Sequence, residues 1–245
     1  MHASNPMSNN NGFKLGLFSI NAEGGTAFTK VAHRWRAEWS EIETLAHIAD
    51  TAGLEFILPI ARWKGYGGET NVRGASFETL THAAALAASD YLFTSLRSFD
   101  SAKPHIAEIN RLAAEASRKV GVLTTTHVVC RETDAEATRY YDYYASEMAD
   151  AAAVDFHQRK KDAHYGAVDP DAVKLERRRY AGGTGSYPLV GRPERIVDEI
   201  VKMHALGFSG ATLSFVNFNE ELPFFVARVL PLLRQAGLRA EDGVP

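Results

Sequence analysis

The chain has 245 residues, 45% hydrophobic and 23% charged, with a formal net charge of -3; this is a globular composition, long enough for one α/β barrel or two small domains. The charge gives no reason to expect nucleic acid, and no run approaches the roughly 18 apolar residues that a bilayer span needs. Its one cysteine, Cys130, excludes an internal disulfide, and a reducing cytoplasm fits best.

The polar N-terminus, MHASNPMSNNNG, lacks the apolar core of a signal peptide and is expected to be a loose tail over residues 1–12. Residues 14–20 (KLGLFSI) form a strand candidate, and 21–25 (NAEGG) a loop with enough glycine to let backbone approach a ligand. Ile42, Leu45, Ala46 and Ala49 fall at helical spacing, with Ser40 and Glu43 as a possible capping box and Gly53 as the stop. The helix delivers the chain into residues 54–60 (LEFILPI), a short apolar run that reads as a strand buried on both faces. A polar, aromatic, glycine-rich loop follows to Glu69, at the strand end where α/β folds place their chemistry. A second helix is expected over residues 77–87, leading almost directly into a strand at 90–96 (DYLFTSL).

From 104 to 119 apolar positions recur at helical spacing, with Ser101 as the cap before Pro104. Residues 122–130 (VLTTTHVVC), β-branched almost throughout, form a fourth strand, and an acidic-capped helix starts near Asp134. Residues 156–191 are basic and then glycine-rich, and are expected to be an irregular, lid-like connection. A helix then runs from Pro193 to Gly207, a fifth strand occupies 210–215 (GATLSF), and Asn219 caps a last helix before a polar tail at 240–245.

Strand and helix alternate throughout, so one α/β domain over residues 13–239 is expected, with a parallel sheet. Five strands are countable where a (β/α)8 barrel needs eight. Units are missing, if anywhere, near residues 85–89, where a helix meets the next strand with hardly any loop. On count alone an open five-stranded sheet competes with a shortened barrel.

Four stretches settle a family likeness: LPIARWKGYGGE at 58–69, THVVCRET at 126–133, GGTGSYPLVGRPE at 182–194, and GATLSF followed by LPFFVARVLPLL. Together they resemble the luciferase-like monooxygenases, flavin-dependent enzymes on a TIM barrel. The branch most resembled holds the alkanesulfonate, dimethylsulfone and pyrimidine monooxygenases. The resemblance implies FMN, delivered reduced by a partner flavin reductase, and use of O2 to oxygenate a small organic substrate. It also implies a homo-oligomer without nucleic-acid or membrane partners. Against the family pattern, β/α units are absent near residues 85–89, and with them much of the family's flavin site. A catalytically inactive, shortened relative that no longer binds flavin is therefore an alternative, and a deazaflavin-dependent oxidoreductase another.

Within the resemblance, His127 is the catalytic candidate, a neutral imidazole that could act as a donor to oxygenated flavin or position substrate. Two positions upstream the sulfonate branch carries arginine where this chain has Thr125, which speaks against an anionic sulfonate. Ile60 and Ala61 match positions whose backbone lies against the flavin, and Arg62 begins the loop above it. Arg179, Gly182 and Gly183 match the lid, where an arginine can clamp an anion. Each has a plainer reading: a satisfied core histidine, strand packing, and a solvated charge run. Period-two alternation puts Cys130 on the face opposite His127, as packing. No metal-ligand spacing connects the nine histidines.

Overall fold

The computed structural model describes residues 6–60, 65–74, 91–115, 119–162 and 170–240. Six strands are present among them: β1 (Lys14–Phe18), β2 (Phe56–Leu58), β3 (Tyr91–Thr94), β4 (Gly121–Cys130), β5 (Tyr187–Gly191) and β6 (Phe208–Leu213). Every pairing is parallel and the order is β2-β1-β6-β4-β3, so the five expected strands lie on one path. β4 is long enough to pair twice on its own length: Gly121 to Thr124 match β3, and Thr126 to Cys130 match β5. The sheet curls until Phe56 of β2 and Phe93 of β3, from its two ends, meet edge to face at 6.0 Å.

The helices are α1 (Trp39–Thr51), α2 (Phe99–Glu115), α3 (Asp134–Asp142), a π turn (Tyr143–Glu147), α4 (Ala151–Asp162), α5 (Pro170–Gly183), α6 (Pro193–Ala205), α7 (Phe218–Arg228) and α8 (Leu230–Gln235). Register gives the sheet two faces. Leu15, Leu17, Thr124, Val128, Ala211 and Leu213 share one, and most of them join Ile196, Ile200, Leu222 and Phe225 in the main core beneath the helices. Gly16, Phe18, Thr125, His127, Thr212 and Ser214 share the other, the inner face of a half-barrel. That division follows from two-residue alternation in strands covered on both sides.

Several local expectations give way. β5 was expected as loop, because Tyr187-Pro188-Leu189-Val190-Gly191 ends a glycine-rich stretch; it pairs only with β4, and proline is tolerated on such an edge. Most of the supposed irregular connection is helix, α4 and α5. α1 starts at Trp39 after Glu38 without a side-chain cap, leaving Ser40 inside the helix. α2 begins five residues before Pro104, its first turn closed by Ser98 and Ser101, each accepting the other's backbone N–H. Asn217, not Asn219, caps α7, and Pro231 starts α8 as a separate turn. The helix expected over 77–87 and the junction at 85–89 lie outside the described residues.

The N-terminal stretch is tied down from Asn9 onward. Glu55, just before β2, accepts from Asn9 Nδ2 at 3.0 Å, from Asn11 Nδ2, from the Leu15 N–H at 2.8 Å and from Arg239 at 3.1 Å. Arg239 also donates to the carbonyls of Phe13 and Gly53. A buried carboxylate so fully bonded is compensated, and it locks both chain ends to the base of the sheet. At the two sheet ends the outer-face Ile57 (39% exposed) and Leu92 (44%) stay open; among the described residues neither β2 nor β3 has a second strand neighbour.

Candidate active site

The carboxyl ends of the strands converge on one buried polar cluster. His127, the seventh residue of β4, lies on the inner face with Ser214, just past β6. Thr26 enters from the loop after β1, where Ser19 turns the chain at φ +64 and donates to the Gly25 carbonyl at 3.0 Å. Nδ1 of His127 is 3.1 Å from Ser214 Oγ and 3.3 Å from Thr26 Oγ1, and Nε2 is 2.6 Å from the Tyr144 hydroxyl. Only 1% of His127 is exposed.

Counting donors assigns the tautomer. Thr26 donates to Ser214 at 2.9 Å and Ser214 to the Thr126 carbonyl at 3.0 Å, so both hydroxyl protons near Nδ1 are committed. Nδ1 therefore carries the ring proton, and Nε2 accepts from Tyr144. Desolvation pushes the His127 pKa down to about 3 and raises that of Tyr144 well above 10, so both groups stay neutral at working pH. The π turn carries Tyr144 to this position; such turns recur at functional sites, and helical periodicity does not reveal them.

The glycines expected in a lid serve close packing. A Cβ on Gly183 would sit 2.6 Å from His127 Cβ, and one on Gly182 would sit 2.5 Å from the Tyr141 ring. The end of α5 thus rests directly on the imidazole. Arg179 of α5 donates to the carbonyls of Ser186 and Arg97, each at 3.0 Å, and of Leu96. It latches α5 to the exit of β3. Arg177 pairs with Asp155, and Arg178 pairs with Asp142 and lies over the Tyr141 ring, so the arginine run is more than a solvated charge face.

Ile60, beyond β2, is held at both peptide groups by one side chain: Asn21 Nδ2 donates to its carbonyl and Asn21 Oδ1 accepts its N–H, both at 2.9 Å. Ala61 and Arg62 lie outside the described residues. The loop over 65–74 is fixed by Asp150, which accepts from the N–H and hydroxyl of Thr70 at 2.8 and 2.7 Å. Its Arg73 is buried, donating to Thr184 Oγ1 at 2.9 Å and the Gly25 carbonyl at 3.0 Å. Through Thr184, which donates to the Thr26 carbonyl at 2.5 Å, this loop joins the histidine cluster. Among the described residues, Thr212 Oγ1 of the inner face is buried without a hydrogen-bond partner.

Cys130 is buried in the helix-side core, and burial pushes its thiol up to about 12, which makes it a packing residue. The open grooves outlined among the described residues lie on the outer side of α1, lined by Ile42, Ala46, His47 and Asp50 among others, away from the strand ends. Thr26, Tyr144, Thr212 and Ser214 were not singled out in the sequence; Ser214 alone had a signal, as the inward position at the end of GATLSF.

The sequence profile of the luciferase-like monooxygenases matches residues 88–210, half of the chain. An FMNH(2)-dependent dimethylsulfone monooxygenase of Pseudomonas fluorescens is 27% identical over 161 residues, 63% of this chain and 43% of that one. A sulfoquinovose monooxygenase of Novosphingobium aromaticivorans is 28% identical over 180 residues, 66% and 49% respectively. The chain thus spans less than half the length of these relatives. Among solved structures, DmoA from Hyphomicrobium sulfonivorans superposes with a TM-score of 0.54 at 20% identity, over 69% of this chain and 42% of that one. The long-chain alkane monooxygenase LadA gives a TM-score of 0.54 at 16% identity, over 64% and 39%. These likenesses show the fold, a TIM-barrel relative with fewer strands.

Proposed function

Because the chain belongs to the luciferase-like monooxygenase family, we propose that it is an FMN-dependent monooxygenase that oxygenates a small, uncharged organic molecule with O2. The observation that carries this is the neutral cluster of His127, Tyr144, Thr26 and Ser214 at the carboxyl ends of a parallel half-barrel, where this fold class does its chemistry. When bound, reduced FMN supplies the electrons and activates the oxygen; the protein supplies orientation, hydrogen bonds and a dry site.

The residues present fit one half of this cofactor better than the other. Half-buried Phe18 and Leu58, the Ile60 peptide held by Asn21, and the unpartnered Thr212 hydroxyl suit a flat, largely apolar ring. The phosphate is less well served. Helix N-termini are the ready anion sites of such folds, yet carboxylates of this chain already occupy four of them. Glu136 accepts the Thr133 N–H at 3.0 Å before α3, Asp150 the Ala153 N–H at 3.1 Å in α4, Asp134 the Arg192 N–H at 2.9 Å before α6, and Glu221 the Val216 N–H at 3.1 Å before α7.

In this reading His127 works as a neutral group. Its pKa near 3 leaves it neutral near pH 7 and too weak a base to deprotonate an ordinary substrate, so it holds Ser214, Thr26 and Tyr144 in place and shapes the floor of the site. Thr125, next to Thr212 in register and half-buried, offers a hydroxyl and no charge, which favours an uncharged substrate. The end of α5, with Gly182, Gly183 and the Arg179 latch, acts as the lid whose release admits substrate. Ile60 lines the flavin side. A separate reductase supplies reduced FMN, and the protein works in the cytoplasm as a homo-oligomer.

The acid-filled helix ends favour one second reading, a family member that no longer holds flavin. Titration of the purified, monodisperse chain with FMN and with riboflavin, followed by fluorescence and melting temperature, separates the two. We expect saturable binding of both, with affinities within about threefold because the phosphate adds little, and a rise in melting temperature. A folded sample that binds neither at millimolar flavin would establish the inactive reading.

A further inference from the structure

Two tyrosines in this protein each point a hydroxyl at a histidine, and their rings touch. Tyr144, fully buried, has its hydroxyl 2.6 Å from His127 Nε2. Tyr140, four residues earlier and half-buried, has its hydroxyl 2.9 Å from Nε2 of exposed His33. The two phenol rings are 5.1 Å apart, and Tyr144 lies 5.7 Å from the imidazole of His127. Arg131 sits 4.0 Å over Tyr140, but its charge is compensated by Glu221 at 2.6 Å.

We propose that Tyr144 and Tyr140 form a path for single electrons between the barrel interior and the surface, with His127 and His33 as the proton acceptors. A phenol that loses an electron becomes a very strong acid, so it is oxidised readily only where its proton has somewhere to go. Both hydroxyls have such a place, and aromatic rings in contact exchange electrons rapidly. An oxidising radical in the interior takes one electron from Tyr144, whose proton crosses to His127 Nε2; a neutral phenoxyl radical and an imidazolium result. Tyr140 then gives one electron to Tyr144, the proton returns from His127 to the Tyr144 oxygen, and the Tyr140 proton passes to His33 Nε2. A soluble one-electron reductant such as ascorbate finally delivers an electron to Tyr140, whose proton returns from His33. The interior is left reduced without any bond in the core being broken. This role is separate from oxygenation and needs no flavin.

The test uses the full chain without flavin, a flash-oxidised tris(bipyridyl)ruthenium complex as one-electron oxidant, and electron paramagnetic resonance of freeze-quenched samples. Hydrogen-bonded tyrosyl radical is expected in the wild type, and its Tyr144 component should be lost in Tyr144→Phe, leaving that of Tyr140. In Tyr140→Phe the Tyr144 radical should form at least tenfold more slowly. Should Tyr144→Phe fail to fold, 3-fluorotyrosine placed at position 144 keeps the hydroxyl, and a fluorine splitting of the radical signal is then expected. A spectrum unchanged by a folded Tyr144→Phe, or without the fluorine splitting, would overturn the proposal. Equal rates in wild type and Tyr140→Phe would overturn the path through Tyr140.

Discussion

His127 is a residue whose chemistry is set by what covers it. With Nδ1 donating into two hydroxyls, Nε2 accepting from Tyr144 and the end of α5 on top, the ring is buried and its charged form is disfavoured by desolvation. Its folded pKa of about 3 lies below the ordinary 6.5. Between those values the unfolded chain binds a proton that the folded chain does not, so the stability contribution is complete above about pH 6.5 and declines as pH falls toward 3. At pH 5 the loss amounts to about 2 kcal/mol. Urea unfolding of wild type and His127→Gln at pH 7.5 and pH 5 should show this as a difference in how much each loses. If the two lose the same amount, the imidazole is not the buried neutral group described.

At the scale of elements, the junction of α5 with β4 is a tight approach at the site. Gly183→Ala would place a methyl 2.6 Å from the Cβ of His127 and 2.7 Å from its Cγ, so something must shift. Overpacking of this kind costs about 1–3 kcal/mol, so the variant should unfold at lower denaturant, and a substitution at Gly185, whose nearest neighbour is 3.7 Å away, should act through its φ of +80 alone. What the sequence made legible follows the same physics. The β-branched run of β4 and the helix start near Asp134 are local signals, and both stand where they were expected, the latter fixed by a Thr133–Glu136 capping box that had not been singled out. β5 was hidden because its proline and glycines mimic a loop until a neighbouring strand is present. The site divides likewise: His127 stood out by its chemistry, but Thr26 and Ser214 are 101 and 87 residues away from it in the chain, and no local pattern joins positions so far apart.

For the whole molecule, the curled sheet ends at β2 and β3 among the described residues, and the apolar side chains of Ile57 and Leu92 remain open there. Open parallel edges with exposed aliphatic residues invite pairing with another sheet. Sedimentation velocity should therefore show mass rising with concentration for the wild type and less so for an Ile57→Lys, Leu92→Lys double variant. A wild type that stays monomeric across the same range would show these edges to be covered within one chain.

At the opposite end of the molecule, the Phe13 N–H donates to the Leu238 carbonyl at 3.0 Å and the Ala240 N–H to Asn11 Oδ1 at 2.7 Å, beside the Glu55–Arg239 pair. Positions 11 and 240 are thus near neighbours in space. A short linker between them would close the backbone into a ring without disturbing the sheet, so the order in which strands are threaded could be permuted by cutting at a surface turn elsewhere, while the half-barrel and its buried histidine keep their geometry.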